Sequence, residues 1–214
     1  MALQVTTGSN ESLVSSNLGI TTGSFSHGFW YQPIGLAGTN TLTRQRGDVN
    51  GFTIRTTSAG ANFQWTRERT GIADDNVTES FTVVVGTWYH LAMTYDGTNV
   101  VAYRNGVRIG SVASSGTGNS AGNSFRVGTH DGSANVANAR FAHVFVFNSV
   151  LSANQIKQIY LSRPSNVDGN LRLYWPLNEG AGTTTYDHGL GQGTNNGTIT
   201  TANWSNLHPP TTYK

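Results

Sequence analysis

Two dipeptides, Asp96-Gly97 and Asn105-Gly106, constrain the fold of this chain more than any other feature. They punctuate three runs of β-branched and aromatic residues: Trp88 to Tyr95, Val100 to Arg104 and Val107 to Val112. Asp, Asn and Gly tolerate the positive φ that tight hairpin turns require. Residues 81–112 therefore read as a three-stranded antiparallel meander, led in by the strand-like run Phe81-Thr82-Val83-Val84-Val85.

The same rhythm continues on both sides. Phe25 to Tyr31 reads as a strand ending at Pro33, followed by short strands at Leu42 to Gln45, Gly51 to Thr56 and Asn62 to Arg67. Ser124 to Gly128 and Ala139 to Asn148 add two more. Strict alternation in the last would place Phe141, Phe145 and Phe147 on one face, and Ala142, Val144 and Val146 on the other. Short strands at roughly 8–12-residue spacing indicate an all-β antiparallel sandwich. One helix interrupts it, near 152–162. Ser152 and Gln155 form a capping box, Leu151 and Ile156 a hydrophobic staple, and Ile156, Ile159 and Tyr160 an apolar stripe that stops before Pro164. Leu171 to Leu177 returns to strand, and a glycine-rich stretch leads to Thr198-Ile199-Thr200. Residues 206–214, with Pro209-Pro210, read as an extended tail.

Composition excludes several classes of function. Charged residues are 11% of 214, and the net charge is +2. Lys and Arg do not form a basic stripe, so nucleic acid is not an expected partner. The absence of cysteine excludes disulfides and thiolate metal sites. The first residues carry no secretory signal pattern, and no apolar run is long enough to span a bilayer, so no membrane insertion is expected.

Three motifs carry a family resemblance. The first is Gly86-Thr87-Trp88-Tyr89-His90-Leu91-Ala92-Met93-Thr94-Tyr95-Asp96-Gly97 with Tyr103-Arg104-Asn105-Gly106. The second is Phe141 to Asn148, followed by Leu151-Ser152 and the helix to Tyr160. The third is Leu173-Tyr174-Trp175-Pro176-Leu177-Asn178-Glu179-Gly180, continuing to Asp187, with Asn195-Asn196-Gly197-Thr198. Together they resemble the laminin-G-like branch of the concanavalin A-like lectin/glucanase jelly rolls. The resemblance implies one jelly-roll domain over 1–205. Its third motif, which normally opens such a domain, here comes last, in 170–205. That segment would either fill its usual slot within the chain or pair with a neighbouring subunit.

A glycosidase on such a scaffold needs two carboxylates flanking the scissile bond. The family's hydrolase branch carries a Glu-x-Asp-x-x-Glu pattern that is missing here, so no catalytic residue is expected. The candidate ligand-binding residues are Trp65 with Arg67, and Trp204 with Asn203. Each is an aromatic among polar neighbours, as a sugar-stacking platform would be. The resemblance also implies a possible calcium ion at the rim, with Asp131 and Asp187 as candidate ligands, although each serves equally as a turn residue. No other cofactor is expected. The expected function is non-enzymatic and lectin-like: a structural or display module on a virion surface, contacting other surface proteins or a second copy of itself. The alternative is a carbohydrate-binding module of a bacterial surface or secreted protein, and a glycoside hydrolase ranks below both.

Overall fold

The computed structural model describes residues 1–6, 12–15, 18, 20, 23–46, 51–69, 71–116, 118, 124–132, 134–164, 169–189, 195–200 and 203–210. The elements run β1 (Ala2–Val5), β2 (Ser12–Ser15), β3 (Phe25–Gly35), β4 (Asn40–Arg46), β5 (Gly51–Thr57), β6 (Asn62–Glu68), β7 (Asp75–Ser80), β8 (Tyr89–Tyr95), β9 (Asn99–Arg104) and β10 (Val107–Ala113). Then follow β11 (Ser124–Val127), β12 (Asn138–Phe147), α1 (Ala153–Leu161), β13 (Leu171–Trp175), β14 (Thr184–Thr185), β15 (Gly197–Thr200) and β16 (Asn203–Ser205). The fold is the expected antiparallel sandwich. Its first sheet has the order β10-β9-β8-β3-β12-β1-β16, with β13 also paired to β12. The second runs β14-β15-β2-β11-β4-β5-β6-β7.

The inward side chains of both sheets make one core, including Phe25, Phe29, Tyr31, Phe52, Ile54, Phe63, Leu91, Met93, Phe125 and Trp175. Two arginines bridge the sheets on the side where β7 approaches β9 and β10. The Arg67 guanidinium lies 4.2 Å from the centre of the Tyr95 ring, and Arg104 pairs with Glu79 at 2.9 Å.

The meander forms as expected. Asn105 (φ 52) and Gly106 (φ 75) make the tight turn between β9 and β10. A Cβ on Gly106 would also approach Tyr160 of α1 to 2.9 Å, so the turn needs glycine for both conformation and space. The Asp96 loop has three residues, Asp96 to Thr98. The Asp96 carboxylate closes it by accepting from the N–H groups of Thr98 (2.8 Å) and Asn99 (2.6 Å). The expected strand at Phe81 to Val85 is not one. β7 precedes it, and the segment hangs from the turn between β5 and β6 by Phe81 N–H to Ala61 O and Val83 N–H to Gly60 O. Val84 and Val85 are left exposed.

The helix has the predicted capping box, with Ser152 Oγ accepting from Gln155 N–H and the Gln155 side chain accepting from Ser152 N–H. Its buried face, Ile156 and Ile159, packs with Leu151 against Ala92, Tyr103, Phe145 and Phe147 on the outside of the first sheet.

β12 overturns the expected alternation. Phe141 faces the inter-sheet core with Val144 and Val146, while Phe145 and Phe147 face the helix. The cause is a bulge. Three steps on β12, from Ala142 to Phe145, oppose two on β3, from Trp30 to Gly28, and His143 takes a φ of 50°. One extra residue switches the face of every side chain beyond it. The bulge also marks a change of partner. Before it, β12 pairs with β1; after it, with β13. Both partners are antiparallel to β12, so β13 and β1 run in the same direction along one edge, like a single strand broken opposite His143.

Candidate functional site

The outward face of the second sheet is polar by construction. In β5, β6 and β7, Ile54, Trp65 and Val77 are neighbours on the inward side. Alternation then turns the residues between them outward. Three cross-strand rows result. Thr53, Thr66 and Asn76 form one, Arg55, Gln64 and Thr78 the next, and Thr57, Asn62 and Ser80 the third.

Burial divides this face in two. In the first row's neighbourhood, Arg44, Thr53, Thr66 and Glu68 are buried. Arg44 donates to both Glu68 oxygens, from Nε to Oε1 (2.8 Å) and from Nη2 to Oε2 (3.1 Å), and also to the His130 carbonyl (3.2 Å). Thr53 Oγ1 donates to Glu68 Oε1. The Glu68 carboxylate is thus tied into a closed network. The other two rows are half-buried on β5 and β6 and exposed on β7. Arg55 Nε donates to Gln64 Oε1 (2.6 Å), and Gln64 Nε2 donates to Thr78 Oγ1 (3.0 Å). Asn62 Nδ2 donates to Thr57 Oγ1 (3.2 Å) beside them. The ladder fixes the orientation of planar groups that keep further donors and acceptors for a ligand, since a guanidinium alone has five N–H donors.

The sequence candidates fall elsewhere. Trp65 is fully buried in the core and offers no ring face to a ligand, which corrects the expectation of a platform. Its neighbours Gln64 and Thr66 are polar because they point the opposite way along the strand, so they say nothing about the surroundings of the indole. Arg67 is also buried, donating to Ser114 Oγ (3.1 Å) and the Gly116 carbonyl (2.7 Å) besides stacking on Tyr95. Its role is to bridge the sheets. Trp204, on the edge strand β16, is partly buried against the core, with Nε1 donating to the Gly182 carbonyl (3.1 Å). Asn203 is exposed beside it. The two pairs do not form one site: Trp65 and Arg67 lie on β6, beside the edge strand β7, and β16 is the far edge of the other sheet.

The two aspartates are not brought together around an ion. Asp187 is buried. Its Oδ1 accepts from Tyr174 N–H (2.9 Å) and Gly189 N–H (2.8 Å), and its Oδ2 accepts from Asn195 Nδ2 (3.3 Å). Asp131 is exposed in its turn, with Oδ1 accepting from Ala134 N–H (2.8 Å). Among the described residues, no group of three or more His, Asp or Glu side chains is placed to hold a metal ion. Asn62 and Gln64, missed in the sequence, were marked there by their alternation with Phe63 and Trp65, Arg55 by its place beside Ile54, and Thr78 by its place beside Val77.

The comparisons agree on the fold. A carbohydrate-binding role is ascribed to a Bacteroides ovatus protein that matches with a TM-score of 0.71 at 20% identity, over 94% of this chain and 58% of that one. This chain therefore spans less than two thirds of that protein's length. A heptameric pentraxin from Limulus polyphemus matches with a TM-score of 0.58 at 13% identity, over 74% of this chain and 81% of its own. Domain 4 of an extracellular arabinanase from Geobacillus stearothermophilus, solved with arabinotriose, also has a TM-score of 0.58, at 16% identity over 71% of this chain and 74% of its own. No curated protein matches the sequence. The laminin-G-like family model matches residues 6–157, most of the sandwich, and so the chain belongs to the concanavalin A-like lectin/glucanases superfamily.

Proposed function

We propose that this chain is a non-enzymatic carbohydrate-binding module that recognises a neutral glycan along the open half of its second sheet. The observation that carries the reading is the Arg55–Gln64–Thr78 ladder, with Thr57 and Asn62 alongside. It is a preorganised row of planar donors and acceptors on a rigid sheet, suited to the hydroxyls of a sugar chain. The ascribed role of the Bacteroides protein and the trisaccharide held by the arabinanase domain support the same ligand class. Hydrolysis would need a second carboxylate across the scissile bond from the first. On this face Glu68 is already engaged by Arg44 and Thr53. The setting proposed is an exposed surface, first that of a virion, with copurification with particles as its check.

The test is a glycan array probed with the wild type and with Gln64→Ala. Each lost hydrogen bond should weaken binding by about three- to tenfold, and the melting temperature should fall only slightly because Gln64 is half-buried on the outward face, away from the core. Unchanged glycan binding by Gln64→Ala would remove this face from consideration.

A further inference from the structure

Among the described residues, one aromatic ring stands in solvent. Tyr186 is 56% exposed, and every other described Phe, Tyr and Trp is buried or half-buried. A single exposed ring means little by itself. Its setting gives it a role.

That setting follows from strand alternation. Thr185 and Ile199 are buried, and a Cβ on Gly197 would meet Leu13, Thr185 and Trp175. Residues 185, 197 and 199 therefore face inward. Thr184, Tyr186, Asn196 and Thr198 turn outward, and all four are exposed. Thr184 pairs with Thr198 and Thr185 with Gly197, so the next step along the ladder brings Tyr186 beside Asn196. Hydrogen bonds hold both in place. Glu179 Oε1 accepts from Tyr186 N–H (3.0 Å) and from Thr185 Oγ1 (2.6 Å), while Asn196 Oδ1 accepts from Asp187 N–H (3.0 Å). The Asn196 amide is thus oriented through its oxygen, and its NH2 group keeps two donors for a ligand.

We propose that Tyr186 is the platform of a second carbohydrate subsite, for a neutral sugar whose C–H face packs on the ring while Asn196 Nδ2 and the Thr184 and Thr198 hydroxyls meet its OH groups. A tyrosine ring offers a large, rigid contact surface at low entropic cost. The charged side chains beside it in the chain, Glu179 and Asp187, are both acidic, which disfavours an anionic sugar. The proposal rests on the carbohydrate-binding reading but uses the opposite edge of the same sheet. Strand order places β14 five strand spacings from β5, about 24 Å, so this subsite and the Arg55–Gln64–Thr78 ladder contact different sugar rings.

An array of neutral and uronate-bearing oligosaccharides tests it, probed with the wild type, Tyr186→Ala, Tyr186→Phe and Gln64→Ala. The wild type should bind a neutral oligosaccharide in preference to uronate-bearing ones. Tyr186→Ala should weaken that binding by about tenfold, the order that one ring stacked on an aromatic side chain contributes. Tyr186→Phe keeps the ring and should bind as the wild type does. The melting temperature of Tyr186→Ala should stay unchanged, because the ring is exposed. Full binding by Tyr186→Ala, equal loss in Tyr186→Phe, a large fall in melting temperature, or no neutral oligosaccharide bound by the wild type would each overturn the proposal. Gln64→Ala separates the two sites. Loss in Tyr186→Ala alone keeps this subsite and removes the ladder, loss in Gln64→Ala alone does the reverse, and loss in both keeps both.

Discussion

Strands β8, β9 and β10 follow one another through loops of three and two residues, whereas β13 and β1, which share one edge of β12, come from opposite ends of the chain. The meander is held by contacts between near neighbours, and its turns close on their own side chains. The interrupted strand is held by groups that meet only once the chain has folded. His143 bonds to Tyr174, the Trp175 indole donates to the Asn195 carbonyl (2.9 Å), and Asp187 ties β13 to the segment between β14 and β15. Local closure costs little loop entropy, and distant closure costs more and comes later. The two regions should therefore differ in how they fail.

The largest expected effect is acid unfolding, because it strikes both. His27, beneath the core aromatics, and His90, on meander strand β8, are fully buried, and burial lowers both pKa values to about 3. Burial, with Arg163 and the N-terminal ammonium adding to it, lowers His143 to about 4. All three lie below the unfolded value of 6.5, so their stabilising contribution is complete above pH 6.5 and declines as pH falls toward 4 and then 3. Each costs about 1.4 kcal/mol per pH unit over that window, enough for three to unfold an ordinary domain before pH 4. Urea titrations from pH 7 to pH 4 should show the midpoint falling steadily. A flat profile would mean that these imidazoles are solvated.

Substituting one aspartate in each region isolates the difference. Asp187→Ala strands the N–H groups of Tyr174 and Gly189 and the Asn195 amide in a buried site, and should cost about 3–5 kcal/mol. Hydrogen exchange should rise first in 171–177, with the meander still protected; uniform loss of protection would show that the two regions unfold as one unit. Asp96→Ala is the smallest effect. Partial burial opposes ionisation of Asp96, yet the hydrogen bonds from Thr98 and Asn99 outweigh it and hold the carboxyl below its usual range. That loop is exposed, so its loss should cost about 1 kcal/mol by denaturant midpoint. A cost equal to that of Asp187→Ala would erase the distinction.

The legible parts of this protein are those with local causes. The Asn105-Gly106 turn, the Ser152–Gln155 cap, the strand rhythm and the family motifs all follow from residues within a few positions of one another. The candidate site was half legible. The alternation of Phe63 and Trp65 with Asn62, Gln64 and Thr66 marked the outward residues, but reading polar neighbours in sequence as neighbours in space put Trp65 on the wrong side.

From the sequence alone came the sandwich, its helix and its superfamily, because hydrophobic period and turn chemistry act over short distances. The tertiary structure alone decided three other things: the bulge at His143, the segment that meets β1 there, and the exclusion of Phe81 to Val85 from the strand ladders. Each depends on which strands arrive beside one another, and no local propensity encodes that. The break between β13 and β1 is a product of that long-range pairing.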